Sequence, residues 1–119
     1  MLGLVARYAD AFNSVWHTSP ETMVPQFAIA DEACRAIGRD PSTLQHTSGC
    51  YVALPAPGEA PPPQLRPSIR STPEGLAEQL HAFHQAGAAH MTISVEPWDV
   101  AGLERCGRTI EALRRLESQ

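Results

Sequence analysis

Trp16 and His17 stand together at the end of a short run, "AFNSVW", residues 11 to 16. At a strand mouth, an indole can wall a pocket for a flat ligand, and an imidazole can move a proton near neutral pH. A packed Trp beside a solvated His satisfies the same pattern. Asn13, inside the run, carries an amide that can bond a polar group of a ligand, or more simply find a partner within the sheet layer. Glu96 ends another run, "HMTISVE", before Pro97, Trp98 and Asp99. A carboxylate there can orient a substrate, whereas Asp99 is more simply a helix N-cap. Arg66 and Arg70 can clamp an anion through paired N–H donors, although solvated loop arginines are commonplace. His81 and His84 share one face of a helix and His90 follows, but no carboxylate or Cys completes a ligand set at a recognisable spacing. No metal site is expected. P-loop, nucleophile-elbow and paired-carboxylate signatures are absent, so no residue is assigned a catalytic role from motif alone.

The chain that must position these groups has 119 residues, 43% of them hydrophobic and 18% charged, a composition that folds as one domain. Its net charge of −4 argues against a nucleic-acid binder. All nine basic residues are Arg. With Ala, Gly and Pro abundant, this reflects a GC-rich genome more simply than phosphate recognition. Cys34, Cys50 and Cys106 form neither a CxxC pair nor an even set, so a reduced, cytoplasmic setting is expected. No signal-peptide pattern is visible at the start, and no apolar run approaches the ~20 residues that span a bilayer.

Residues 2 to 9 read as a helical end and 11 to 16 as a strand. "TSPE" then supplies Ser19 as a cap, Pro20 for the first helical position and Glu21 for the positive end of the dipole. Met23, Phe27, Ala30, Cys34 and Ile37 follow at helical spacing, and Gly38 is a natural stop. Pro25 lacks an N–H, which predicts a kink or a later true start. "GRDPSTLQ" is a turn. Residues 46 to 54 form a strand with apolar residues on both faces, as in a covered parallel sheet. Residues 55 to 71, "PAPGEAPPPQLRPSIRS", form a stiff, Pro-rich loop. "STPE" opens a second helix with Leu76, Leu80 and Phe83 on one face, ended by Gly87. Residues 90 to 96 are a third strand. A last helix carries Val100, Leu103, Gly107, Ile110 and Leu113 or Arg114 as its apolar stripe. Alternating strand and helix predicts a parallel α/β sheet with right-handed crossovers.

Four stretches together resemble one family. "LVARYADAFN" is similar to the "L-x-x-A-R-Y-A-D-G-W-N" segment of luciferase-like monooxygenases and their deazaflavin-dependent relatives. "CRAIGRDPSTLQHT" resembles their "C-x-x-x-G-R-D-P-x-x-x-x-x-S" turn. "STPEGLAEQLHAFHQAGAAHMTI" resembles their "G-T-P-E-E-x-A-E-Q-L-x-x-Y-x-x-A-G-x-x-H" helix and strand, and "LERCGRTIEALRRL" their closing helix. Ala11 and Phe12 depart from the usual Gly-Trp, Gly75 from a frequent Glu, and the loop at 55 to 71 is longer than the family's connection.

The resemblance implies a (β/α)8 TIM-type barrel roughly two to three times this length. Residues 1–119 would be its C-terminal segment, the last three strand–helix units of an incomplete barrel. It implies a flavin- or deazaflavin-dependent oxidoreductase or monooxygenase, working by hydride transfer or oxygen activation on a small organic substrate. The cofactor would be FMN or a deazaflavin coenzyme, with the glycine-rich phosphate loop expected upstream of Leu4. Barrel sites lie at the C-terminal strand ends, which makes Asn13, Trp16, His17, Arg66, Arg70 and Glu96 the candidate cofactor- or substrate-facing residues. The competing expectation is a truncated, non-catalytic relative. Three strands cannot close a barrel, so an exposed, apolar inner face and open edges would drive homo-oligomerisation or pairing with a chain that completes it. A self-contained small α/β domain is a third reading. Neither nucleic acid nor membrane is an expected partner.

Overall fold

The computed structural model describes residues 1–60 and 66–119. Residues 61–65 lie outside the described residues, so the loop expected over 55–71 is seen only at its two ends. The elements run α1 (Leu2–Tyr8), β1 (Ala11–Val15), α2 (Pro20–Ala36), a 3-10 turn (Pro41–Thr43), β2 (Gln45–Ala53), β3 (Ile69–Arg70), α3 (Pro73–Gln85), β4 (His90–Glu96) and α4 (Val100–Glu117).

β2 is the central strand, and all of its pairings are parallel. β1 pairs with it from Ala11↔Gln45 to Val15↔Gly49, and β4 from Thr47↔His90 to Ala53↔Glu96. β3 adds Val52↔Ile69 and Ala53↔Arg70. A strand has two edges, so β1 and β3 share one edge of β2, end to end, and β4 takes the other. The sheet is therefore three strands wide and open, and the alternation read from the sequence is present. The Pro-rich stretch is not wholly irregular as expected. Its last residues, past the prolines, regain free N–H groups and pair as the short strand β3.

Register assigns the faces, because paired residues point the same way. Cys50, Val52 and Val95 turn toward the helices and pack with Met23 and Phe27 of α2 and with Leu76, Leu80 and Phe83 of α3. Cys106 and Leu113 of α4 complete this core from its margin. A second, smaller cluster joins Ala6 of α1 to Ala30, Cys34 and Leu44. The opposite face carries Asn13, Thr47, Tyr51, Thr92, Ser94 and Glu96, and no helix among the described elements covers it. This corrects two expectations. β2 is not apolar on both faces, and the uncovered face is polar rather than apolar. Thr92, Ser94 and Glu96 alternate strictly with Met91, Ile93 and Val95, a period-two pattern that the sequence carries plainly.

The helix starts differ in detail. α2 begins at Pro20 and carries Pro25 inside it. The bond lost at Pro25 is the one to the Glu21 carbonyl in the first turn, so the helix continues past it. Ser19 occupies the N-cap position without a capping side-chain bond. Thr72 and Asp99 do cap: their side chains accept from the Gly75 and Gly102 N–H groups at 3.1 and 2.8 Å. Gly38, with φ +77°, supplies the left-handed turn that ends α2. Arg39 beside it is a fastener. Its Nη1 donates to the Ala6 and Ala9 carbonyls, its Nη2 to the Thr43 carbonyl and its Nε to Thr43 Oγ1. The last helix corrects a third expectation. Gly102, Thr109 and Ala112 are its buried residues, whereas Leu103 and Ile110, expected to face the core, are exposed.

Candidate functional site

Ligands of parallel sheets gather at the carboxyl ends of the strands. At that end, on the uncovered face, Trp16 lies flat against Tyr51, with ring centroids 4.1 Å apart and planes 20° from parallel. Arg66 lies over the Tyr51 ring, its guanidinium carbon 4.9 Å from the centroid, and donates from Nη1 to the Tyr51 hydroxyl. Cation and indole thus both meet the one phenol ring. Trp16 stays 44% exposed despite this stacking. Trp16 and Arg66, distant in sequence, are brought together by Tyr51, which the sequence reading passed over. The signal was available: Tyr51 alternates with Cys50 and Val52, which face the helices.

Asn13 lies deeper on the same face. Its Oδ1 accepts from Thr47 Oγ1 at 2.9 Å, which agrees with the simpler account of this residue. Arg70 and Glu96 flank Ala53 in register, one on each neighbouring strand. Two strand spacings place their Cα atoms about 10 Å apart. Both are exposed, and among the described residues they do not form an ion pair.

His17 goes elsewhere. Its backbone N–H bonds the Gly49 carbonyl, and its ring turns to the β1–α2 corner. Nε2 lies 2.8 Å from Ser14 Oγ, and Nδ1 lies 2.8 Å from Thr22 Oγ1. Thr22 spends its own proton on the Ser19 carbonyl, so its oxygen accepts from Nδ1–H, and Nε2 is left to accept from Ser14. Burial of the ring lowers the His17 pKa and favours this neutral form. Five of the six expected residues therefore share the open face, and His17 is tied into the corner beside it.

Several other titratable groups have structural partners, whereas the buried Nδ1 of His81 has none among the described residues. His46 bonds Asp31 at 2.7 Å and stacks on Phe27, joining β2 to α2. His84 Nδ1 lies 3.2 Å from the Ala88 carbonyl. Among the described residues no three His, Cys, Asp or Glu side chains converge as a metal site would require. Burial pushes the Cys50 thiol up to about 11, so it is no nucleophile. No helix among the described residues is long and apolar enough to cross a membrane. In comparisons with known proteins, no family model matches the chain, and no curated protein matches it.

Proposed function

We propose that the chain forms three consecutive strand–helix units of a luciferase-like (β/α)8 barrel, and that its open face is one wall of a site for FMN or a deazaflavin coenzyme. The supporting observation is the one-sidedness of the sheet. Doubly wound parallel sheets are covered on both faces, whereas barrel strands carry helices outside and side chains inside. The side chains suit one wall of a ring site: the half-exposed Trp16 indole, the Asn13 amide, the Thr47, Thr92 and Ser94 hydroxyls and the Glu96 carboxylate. Trp16 would receive the flat ring. Asn13 would bond its polar edge, and Glu96 with Arg70 would orient a small organic substrate at the strand ends. When bound, such a cofactor supplies hydride transfer or oxygen activation, and the protein supplies orientation and exclusion of water.

The test is titration of the purified chain with FMN and, separately, with the deazaflavin, followed by tryptophan fluorescence. Quenching that is lost in Trp16→Leu is expected. Absence of measurable binding by either cofactor would mean that the chain alone is not this enzyme. Translation of the DNA upstream of Met1 in the same frame adds an independent check: a glycine-rich loop after further strand–helix units is the expected result. A second reading, a non-catalytic relative that pairs with another chain, draws on the outer edges of β1 and β4, which carry no strand among the described elements. It expects an assembly built through those edges.

A further inference from the structure

α4 is two-sided. Gly102, Arg105, Thr109 and Ala112 recur every three or four residues and turn inward. Gly102, Thr109 and Ala112 are buried, and Arg105 donates to the Leu54 carbonyl at 2.8 Å. Val100, Leu103, Gly107 and Ile110 recur with the same spacing on another side. There Val100 is 72% exposed, Leu103 54% and Ile110 49%, and Trp98 just ahead of the helix is 80% exposed. A Cβ added at Gly107 would meet nothing within 4 Å, so the stripe is open and notched at that point. Apolar residues spaced three and four apart form a seam shaped for another helix.

We infer that this seam docks antiparallel on the same seam of a second copy. A two-fold axis near residue 105 sets Val100 against Ile110 of the second copy and Leu103 against its Gly107, and repeats both layers. Large then meets small at the notch. Parallel pairing would instead set Gly107 against Gly107 and leave a hole. In this register Arg114, which continues the seam, lies level with residue 96 of the second copy, three residues past its Asp99. That offset is within reach of a long side chain, so the pairing sets a cation near an opposite charge at each end of the seam. The inference rests on α4 and does not depend on the ligand reading of the sheet face.

Sedimentation equilibrium of the full chain, from micromolar to hundreds of micromolar, tests it. A reversible dimer is expected. Leu103→Glu is expected to raise its dissociation constant at least about tenfold while leaving the circular dichroism unchanged, because Leu103 is exposed in the single chain. Gly107→Leu fills the notch and is expected to weaken the dimer without unfolding the chain. In a Cys106→Ser background, mixing Leu103→Cys with Gly107→Cys chains is expected to give an intermolecular disulfide. A chain that stays monomeric throughout this range would overturn the inference. So would a dimer whose dissociation constant ignores Leu103→Glu, since such a dimer is held by another surface, the sheet edges included.

Discussion

Replacing Arg39 with Met keeps the apolar stem and removes the fork that ties α1 to the turn before β2. Four hydrogen bonds go with it, at 2.8, 2.9, 3.0 and 3.2 Å. Two of the acceptors, the Ala6 and Ala9 carbonyls, belong to the end of α1, where carbonyls lack partners within the helix and cations are favoured. A bond to a charged donor is worth ~1.5–3 kcal/mol singly, but these four share one half-buried group and water partly replaces it. A net loss of about 2–4 kcal/mol follows for Arg39→Met. At roughly 3–5 °C per kcal/mol for a chain of this size, Tm falls by about 6–20 °C. Arg39→Lys keeps a point charge that reaches one or two carbonyls, and about half the loss is expected. Urea unfolding gives the free energies. Hydrogen exchange locates the effect, with the Ala9 amide, bonded to the Val5 carbonyl, opening first. A Met variant within ~0.5 kcal/mol of the parent would refute the reasoning, because the fork would then carry no net stability. A Lys variant equal to the parent would refute its planar, multidentate part.

Two other changes discriminate as sharply. At Gly102 an added Cβ runs into the Pro97 carbonyl, so Gly102→Ala is expected to cost about 1–3 kcal/mol, whereas Gly107→Ala, in open space, is expected to gain up to about 1 kcal/mol; thermal denaturation at equal concentration separates them. The His17 pKa is lowered from its ordinary 6.5, so the folded state binds its proton less readily than the unfolded chain. The stability this contributes is complete above 6.5 and is lost as pH falls through the lowered value. The stability advantage of the parent over His17→Gln should therefore shrink between pH 7.5 and pH 5.5, and a pH-independent difference would count against the neutral, doubly bonded ring.

The element order was legible because its punctuation is local. Pro20 and Pro73 open helices, Gly38 and Gly87 close them, and Asp99 caps α4 as expected. What escaped was which side each element shows. In β4 the alternation is enough to assign the faces, although the sequence reading placed the strand without them, but β2 carries Cys50, Tyr51, Val52 and Ala53 in succession, and only pairing with Ser94 and Glu96 shows which of these look outward. In α4 two stripes compete at the same spacing. Val100, Leu103 and Ile110 are the more hydrophobic, yet Gly102, Thr109 and Ala112 are buried, because small residues let the helix approach its neighbours closely. Pattern reading ranks stripes by hydrophobicity, whereas packing here selects by size. The Trp16–Tyr51–Arg66 cluster escaped for a different reason: three residues from three separate segments meet only once β1 lies beside β2.

The two uncovered surfaces differ in chemistry, and the difference argues for different occupants. The sheet face offers an amide, hydroxyls, a carboxylate and one flat indole. Docking a protein on it would bury hydroxyls that each need a partner, at a cost that small side chains recover poorly. A polar ligand or ordered water meets those groups one by one, as in the interior of a site. The outer seam of α4 is made by Val100, Leu103, Gly107 and Ile110, with the exposed Glu104 and Arg108 beside it free to stay in water, so burying it against a helix costs little beyond lost freedom. Helix pairing through α4 and ligand binding on the sheet can therefore coexist, since the helix layer and the open face lie on opposite sides of the same three strands. Leu103→Glu should accordingly leave any cofactor-induced quenching of Trp16 intact, and Trp16→Leu should leave the dimer intact. If either change disturbs both properties, the two surfaces are not independent and the assignment of separate occupants fails.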